Sequence, residues 1–388
     1  MSTASIPLPN WITYGLLPVI NLLLAFLISG LVVWIIGENP WDALVLMLQG
    51  ALGRGEGIGF TLYYATNFIF TGLSVAVAYH AGLFNIGSEG QAYVGGLGAA
   101  LVALALDRYC PWYVTMPFAV IGAALFGAAW ALIPAWLQAK RGSHIVITTI
   151  MFNFIGAALM VYLLVHVLIV PGKMAPETRT FLEGGQLPKL DWLMALFGLK
   201  LGPAPFNVSF IIALVMAFAV WVLIWRTKLG YEMRTLGISR SAAAYAGIPY
   251  VKIVIITMLI SGGLAGMMSL NTVMGASARL QVEFVGGAGF VGIAVSLMGR
   301  SHPLGIVIAA ILFGVLYQGG AELSFDMPNI TRDMIVVIQG LVILFAGALG
   351  SVSYTHLTPP MTKIASNYAV VPSLNEKNVN QSQQTALT

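Results

Sequence analysis

Charge is what this chain has least of. Asp, Glu, Lys and Arg make up 8% of its 388 residues, against about 25% in ordinary soluble domains. A fold that must cover itself in water is excluded on that ground. The net charge of +4 comes with no basic or acidic tail, so nothing suggests a nucleic-acid partner. Cysteine is nearly absent as well: Cys110 stands alone, which rules out an intramolecular disulfide and any zinc site built from several thiolates. No G-x-x-x-x-G-K-[ST] run occurs, so the chain has no phosphate-cradling loop of that kind. No His, Cys and carboxylate spacing suits a metal, and no motif joins a nucleophile to a base. Catalytic, cofactor and metal residues are therefore none.

Apolar residues fill the space that charge leaves, at 59% of the chain with a mean hydropathy of +0.89. A bilayer span needs about 20 consecutive apolar residues. That rule predicts an all-α, polytopic protein of about ten transmembrane helices, near 13–36, 59–81, 91–106, 112–137, 145–170, 206–225, 252–274, 285–298, 303–319 and 334–348. The eighth and tenth are short. The first is too long for a signal-peptide core and lacks a basic flank, so it is read as a mature helix. Residues 1–350 form the membrane domain. The polar tail 351–388, rich in Ser, Thr, Asn and Gln, is expected to be disordered, and Ser351–Pro360 has the look of non-native read-through.

Cations set the orientation. Lys140 and Arg141 lie between the fourth and fifth spans, and Arg226, Lys228, Arg234, Arg240 and Lys252 crowd between the sixth and seventh. These loops are expected in the cytoplasm, and parity across ten spans puts both termini there. The long external segment from Pro171 to Phe206 carries cations too, but Glu177, Glu183 and Asp191 nearly balance them. In the second basic loop Ser239 suits an N-cap, Ala242 to Ala246 favours a short helix, and Gly247 with Pro249 ends it. A short helix with a small-residue face is the shape needed to fit a groove in a partner.

The segment Gly82-Leu-Phe-Asn85-Ile-Gly87-Ser-Glu89-Gly90-Gln91 breaks the apolar pattern with a carboxylate, two amides and several glycines. An unpaired peptide group in hydrocarbon costs several kcal/mol, so such a break survives only inside protein or beside a watery path. Elsewhere the predicted spans hold almost no charge, which suits an uncharged solute. Asn67, Asn85, Glu89, Gln91, Thr148, Asn153 and Asn271 are the candidate pathway residues, with Thr149 and Gln318 as further donors and acceptors. Each has a plainer reading: Glu89 as a cap on a helix N-terminus, Asn153 as a polar clamp between helices. His80, His166 and His302 read as interfacial or turn residues. Gly262 with Gly266, and Gly95, Gly98, Gly122 and Gly127, read as close helix packing.

Four segments in order resemble one family of membrane proteins. They are Gly82–Gln91; Arg141-Gly-Ser-His-Ile-Val-Ile-Thr-Thr-Ile-Met-Phe-Asn153-Phe; the loop Gly230–Gly247; and Gly289 to Gly305, followed by Arg332-Asp333 and Gln339-Gly340. Together, from about Trp11 to Gly350, they are similar to permeases of ATP-binding cassette (ABC) importers for nucleosides, simple sugars and branched-chain amino acids. The form Gly-Leu-Phe-Asn-Ile-Gly-x-Glu-Gly-Gln is more similar to the nucleoside type than to the ribose type. Ile145 stands where family members often carry a carboxylate, and Ser88 where they carry Ala. The resemblance implies a type II importer-like fold in a bacterial cytoplasmic (inner) membrane. It also implies an ABC ATPase subunit holding the ATP and Mg, a second permease subunit, identical or paralogous, and an external solute-binding protein. Ser239, Arg240, Ala242, Ala243, Tyr245 and Gly247 would then form the ATPase-docking helix. An ion-coupled secondary transporter of a small polar solute is the alternative, resting on Glu89 and Asn85 alone.

Overall fold

The computed structural model describes residues 17–341 apart from Phe197, Pro328, Arg332 and Asp333. The first residues of the predicted first span, the last seven of the tenth, the Arg332-Asp333 pair, the boundary at 350 and the polar tail lie outside the described residues. The chain divides into two compact units, Met1–Leu31 with Gly340–Thr388, and Val32–Gln339. In the first unit the described residues are helical, belonging to α1 (Leu17–Ile35) and to a helix that starts at Met334 and is described as far as Leu341. Everything below concerns Val32–Gln339.

After the last residues of α1, that unit continues with α2 (Pro40–Leu52) and the long α3 (Gly55–His80). Then come α4 (Ser88–Leu106), α5 (Trp112–Trp136), which continues into a π-turn at Leu137–Arg141, and α6 (Ile145–His166). A long segment carrying the one-turn α7 (Asp191–Ala195) leads to α8 (Ser209–Arg226) and to the short α9 (Lys228–Ile238) and α10 (Arg240–Tyr245). The unit finishes with α11 (Tyr250–Met267) and its π-turn Leu270–Ala276, α12 (Ala288–Met298) and α13 (Pro303–Asp326). Among the described residues there is no strand, only two isolated bridges, Glu177 with Gln281 and Lys189 with Asn207.

Seven of these helices, α3, α4, α5, α6, α8, α11 and α13, are long and apolar enough to cross a membrane, and an eighth span is reached if the bent pair Phe26–Ile35 and Pro40–Leu52 counts as one. The predicted eighth span is α12, 11 residues long and too short to cross alone. The count of ten is thus approximate, and α2 is a helix the hydropathy rule did not anticipate. Its cause is local: Asn39 caps it, accepting from the Trp41 N–H at 3.0 Å, with Pro40 in the first turn, where a missing N–H costs nothing.

Burial separates an inner from an outer set. Within their most apolar stretches α3 and α11 are 78% buried, whereas α5, α6 and α8 are 28% buried and leave apolar side chains exposed on their outer faces. The seam of α4, α5 and α11 is built on glycine. A Cβ on Gly95 would overlap the Gly266 backbone, one on Gly98 the Gly122 carbonyl, and one on Gly127 the Gly262 carbonyl. Backbones meet there directly, which matters because lipid tails are as apolar as side chains, leaving van der Waals contact as the main attraction.

The segment 171–208 is tied down by charge. Asp107, just past α4, takes a two-pronged contact from Arg179 at 2.6 and 2.9 Å and a third bond from the Leu182 N–H at 2.9 Å. Burial pushes the Asp107 carboxyl up, but these bonds and the Arg179 charge outweigh it and hold the group below the usual carboxylate range. Glu177 pairs with Arg279 at 2.7 Å and with Lys173 at 3.5 Å, so the segment's charges are paired partly with residues outside it and partly within it.

Candidate functional site

The polar break falls between α3 and α4. Gly82, at φ 70°, turns the chain after α3, and its N–H and that of Leu83 bond to the Tyr79 and Ala78 carbonyls. Residues 81–87 then run without helix until α4 starts at Ser88. Asn85, fully buried, organises this stretch. Its amide pairs reciprocally with Gln91 at 2.9 and 3.2 Å, donates to Ser261 Oγ at 2.8 Å and accepts from the Gly87 N–H at 2.9 Å. Asn153 on α6 closes the other side, accepting from the Gly90 N–H and donating to the Ile86 carbonyl, both at 2.8 Å. Ser74, Ser88 and Ser261 complete a hydroxyl cluster at 3.0–3.1 Å. Side chains thus satisfy backbone groups that no helix pairs, the condition for surviving at membrane depth.

Glu89 sits between two helix starts. It lies in the first turn of α4, and its two carboxylate oxygens accept the N–H groups of Gly287 at 2.9 Å and Gly289 at 2.7 Å, at the start of α12. Both helix N-termini carry partial positive charge, so a buried carboxylate is stabilised there without a cationic side chain. The approach is close: a Cβ on Gly289 would overlap the Glu89 backbone. The geometry is that of a cap joining α4 to α12.

Asn271 and Asn67 belong to a second cluster. Asn271, in the π-turn after α11, donates to Asn67 Oδ1 at 2.7 Å and to the Tyr63 carbonyl at 2.9 Å, and accepts from Asn207 Nδ2 and Ser209 Oγ at 2.8 Å each. One side chain so joins α3, the π-turn and the start of α8. The wider π-turn frees backbone geometry for this; such bulges often mark functional places in helices. Thr148 joins neither cluster, bonding only to the His144 and Ile145 carbonyls of its own helix.

Aromatic residues of α3, α4 and α13 were not singled out from sequence. Tyr64 and Phe68 on α3 meet Tyr317 on α13 at ring separations of 5.7 and 4.9 Å, and Tyr93 on α4 meets Phe284 edge-on at 5.4 Å. Phe290 on α12 is exposed. The available signal was Tyr64 four residues before Phe68, an i, i+4 stripe on one helix.

The basic end of the unit carries the predicted short helix as α10, with Ser239 Oγ accepting from the Ala242 N–H at 3.3 Å and Gly247 at φ 73° just beyond it. Its faces are unequal. Ala243 is 1% exposed and packs in a cluster with Ala81, Leu83 and Leu236, so it anchors the helix inward and does not form its outer face. Ala242 and Gly247 are exposed, Tyr245 is 98% exposed, and Arg240 lies 3.9 Å over the Tyr250 ring, bracing α10 on α11. His80 donates to the Ser301 carbonyl at 3.0 Å and His302 caps α13, both structural roles.

Known proteins match this arrangement along most of its length. Residues 57–347 match the family described as branched-chain amino acid transport system / permease component. The chain is 31% identical to the glucose ABC transporter permease protein TsgB13 of Haloferax volcanii, covering 87% of this chain and 88% of that one. It is 32% identical to the guanosine ABC transporter permease protein NupP of Bacillus subtilis, over 87% and 94% of the two chains. It is 31% identical to the nucleoside ABC transporter permease protein NupB of Lactococcus lactis subsp. cremoris, over 85% and 90%. With its apolar helices and a family match over residues 57–347, the chain belongs to this family of ABC transporter permeases and is a multi-pass membrane subunit.

Proposed function

We propose that this permease carries a nucleoside or a simple sugar inward across the bacterial cytoplasmic membrane. The carrying observation is the state of Glu89: the one carboxylate at the polar break is already engaged by two backbone N–H groups, so the break offers an entering solute no free charge, beside the aromatic rings of Tyr64, Phe68 and Tyr317. Such surfaces suit an uncharged polar solute with a flat or ringed body. Relatives named for glucose, guanosine and nucleosides support that choice. The ion-coupled alternative gains nothing, because Glu89 and Asn85 are occupied within the chain.

In this reading the Lys and Arg ends of α5, α8 and α9 face the cytoplasm, as do both termini, and residues 171–208 face outward, where a solute-binding protein delivers its load. The exposed side of α10, with Ala242, Tyr245 and Gly247, docks on a separate ATPase that binds ATP and Mg. A second permease subunit, identical or paralogous, frames the path. This chain itself needs no cofactor. The test is uptake by inside-sealed vesicles containing the native complex, offered labelled guanosine or glucose with its binding protein. ATP-dependent uptake of either, lost when Tyr245 is changed to Glu, is expected. Uptake that follows an ion gradient and ignores ATP would overturn the reading.

A further inference from the structure

Two contacts at opposite ends of one short stretch point to a role that neither has alone. At one end, α9 ends against the turn after α3. A Cβ on Gly237 would overlap the His80 carbonyl oxygen and lie 2.9 Å from the Gly82 N, so these backbones touch with nothing between them. The inward face of α10 presses on the same place, with Ala243 buried in one cluster with Ala81 and Leu83. At the other end, Glu89 holds the start of α12 through Gly287 and Gly289. Between the ends, residues 83–88 are stiffened by the Asn85, Gln91 and Asn153 bonds, although no helix runs through them. Beside the Gly237 contact a cleft of about 440 Å³, bordered by Tyr79, Phe84, Arg234 and Ile238, leaves open space next to the joint.

We propose that residues 80–89 are the strut through which displacement of α9 and α10 reaches α12, with Glu89 as the positioning residue that makes α12 follow. This rests on the docking of an ATPase at α10 given above. A stiff, hydrogen-bonded segment touched at both ends transmits displacement with little loss, whereas a loop free along its length would absorb it. The α12 helix is a suitable receiver: it is 11 residues long, and Phe290 and Leu297 on it are exposed. A change at α10 is thereby read out as a change in what α12 presents.

The test reads α12 directly in the intact complex in native membrane vesicles. Cys110→Ser removes the natural thiol, Phe290→Cys places a new one on α12, and the rate of maleimide labelling is compared with and without ATP and vanadate. In this parent the rate is expected to change by about fivefold or more, the lower end of usual coupling between sites. Adding Glu89→Gln, which keeps the side chain's size, is expected to cut the response to less than about twofold while the ATPase still co-purifies. Adding Gly237→Ala is expected to do the same. A merely structural Glu89 would lower the amount of subunit in the membrane and leave the response of each molecule intact. Persistence of the full response in Glu89→Gln, or no response in the parent, overturns the proposal, and Glu89→Gln decides alone if Gly237→Ala fails to accumulate. A parent that binds no ATPase overturns the docking assignment as well, a separate and distinguishable failure.

Discussion

Replacing Asn271 by Leu removes one side chain of similar size and four hydrogen bonds at once. Asn271 donates to Asn67 and to the Tyr63 carbonyl and accepts from Asn207 and Ser209, all between 2.7 and 2.9 Å. Bonds between membrane helices average about 0.6 kcal/mol each. The four together therefore give a loss of about 2.5 kcal/mol, whereas Asn67→Ala, which deletes one of them, costs about 0.6 kcal/mol. In a chain of this size, with a melting entropy of about 0.8 kcal/mol/K, the larger loss lowers the melting temperature by about 3 °C. Purified subunit in mild detergent, heated and followed by the fraction that stays monodisperse, measures both variants against the parent, with SDS titration as a second probe. The expected order is Asn271→Leu well below Asn67→Ala, and Asn67→Ala slightly below the parent. If Asn271→Leu melted with the parent while uptake collapsed, Asn271 would be a solute contact and the clamp reasoning would be refuted.

Three further outcomes follow from the same geometry. Ala243→Glu puts an unpaired charge into the cluster of Ala81, Leu83 and Leu236, a cost of several kcal/mol, so subunit levels in the membrane should fall, whereas Tyr245→Glu should leave levels normal and weaken ATPase co-purification. The Asp107 carboxyl is held below its ordinary value by Arg179, so its stabilising contribution is present above about pH 4, the unfolded Asp value, and fades as pH falls through the lower folded one; proteolysis of residues 171–208 should rise in the parent over that interval, and Asp107→Asn should be cleaved readily at every pH. Gly95→Leu forces α4 away from Gly266 and should cost about 3 kcal/mol, as overpacking does; melting equal to the parent would show that the seam yields more easily than its geometry indicates.

Much of the helical layout was legible because span length is a one-dimensional property. A run such as Ser209–Arg226 announces itself by composition. The helix α2 did not, since Pro40, Asp42, Gln49 and Gly50 divide its apolar residues and only the Asn39 cap reveals it. The polar residues were visible one at a time, but their pairing was not: Asn271 and Asn67 are 204 positions apart, and Asn85 and Ser261 are 176. A sequence pattern has no way to say that two amides so far apart share a hydrogen bond. Nor was the inward side of Ala243 readable, because a six-residue helix makes less than two turns and its small residues look alike from every side. The glycines were the opposite case. Their spacing within α4, α5 and α11 already implied close backbones, and the structure pairs Gly95 with Gly266 and Gly98 with Gly122.

That glycine seam also determines where this chain is free to vary. At Gly95, Gly98, Gly127 and Gly266 there is no room for a first side-chain carbon, so every one of the nineteen alternatives begins with the same obstruction and chemical similarity offers no graded escape. On the exposed apolar sides of α6 and α8, at positions such as Phe154, Val161, Val215 and Phe218, no neighbouring helix of this chain fixes the shape, and any apolar side chain fits. A library of random variants should therefore lose members sharply along the seam and drift almost freely on those outer faces, making the map of tolerated change a picture of which helices form the rigid frame.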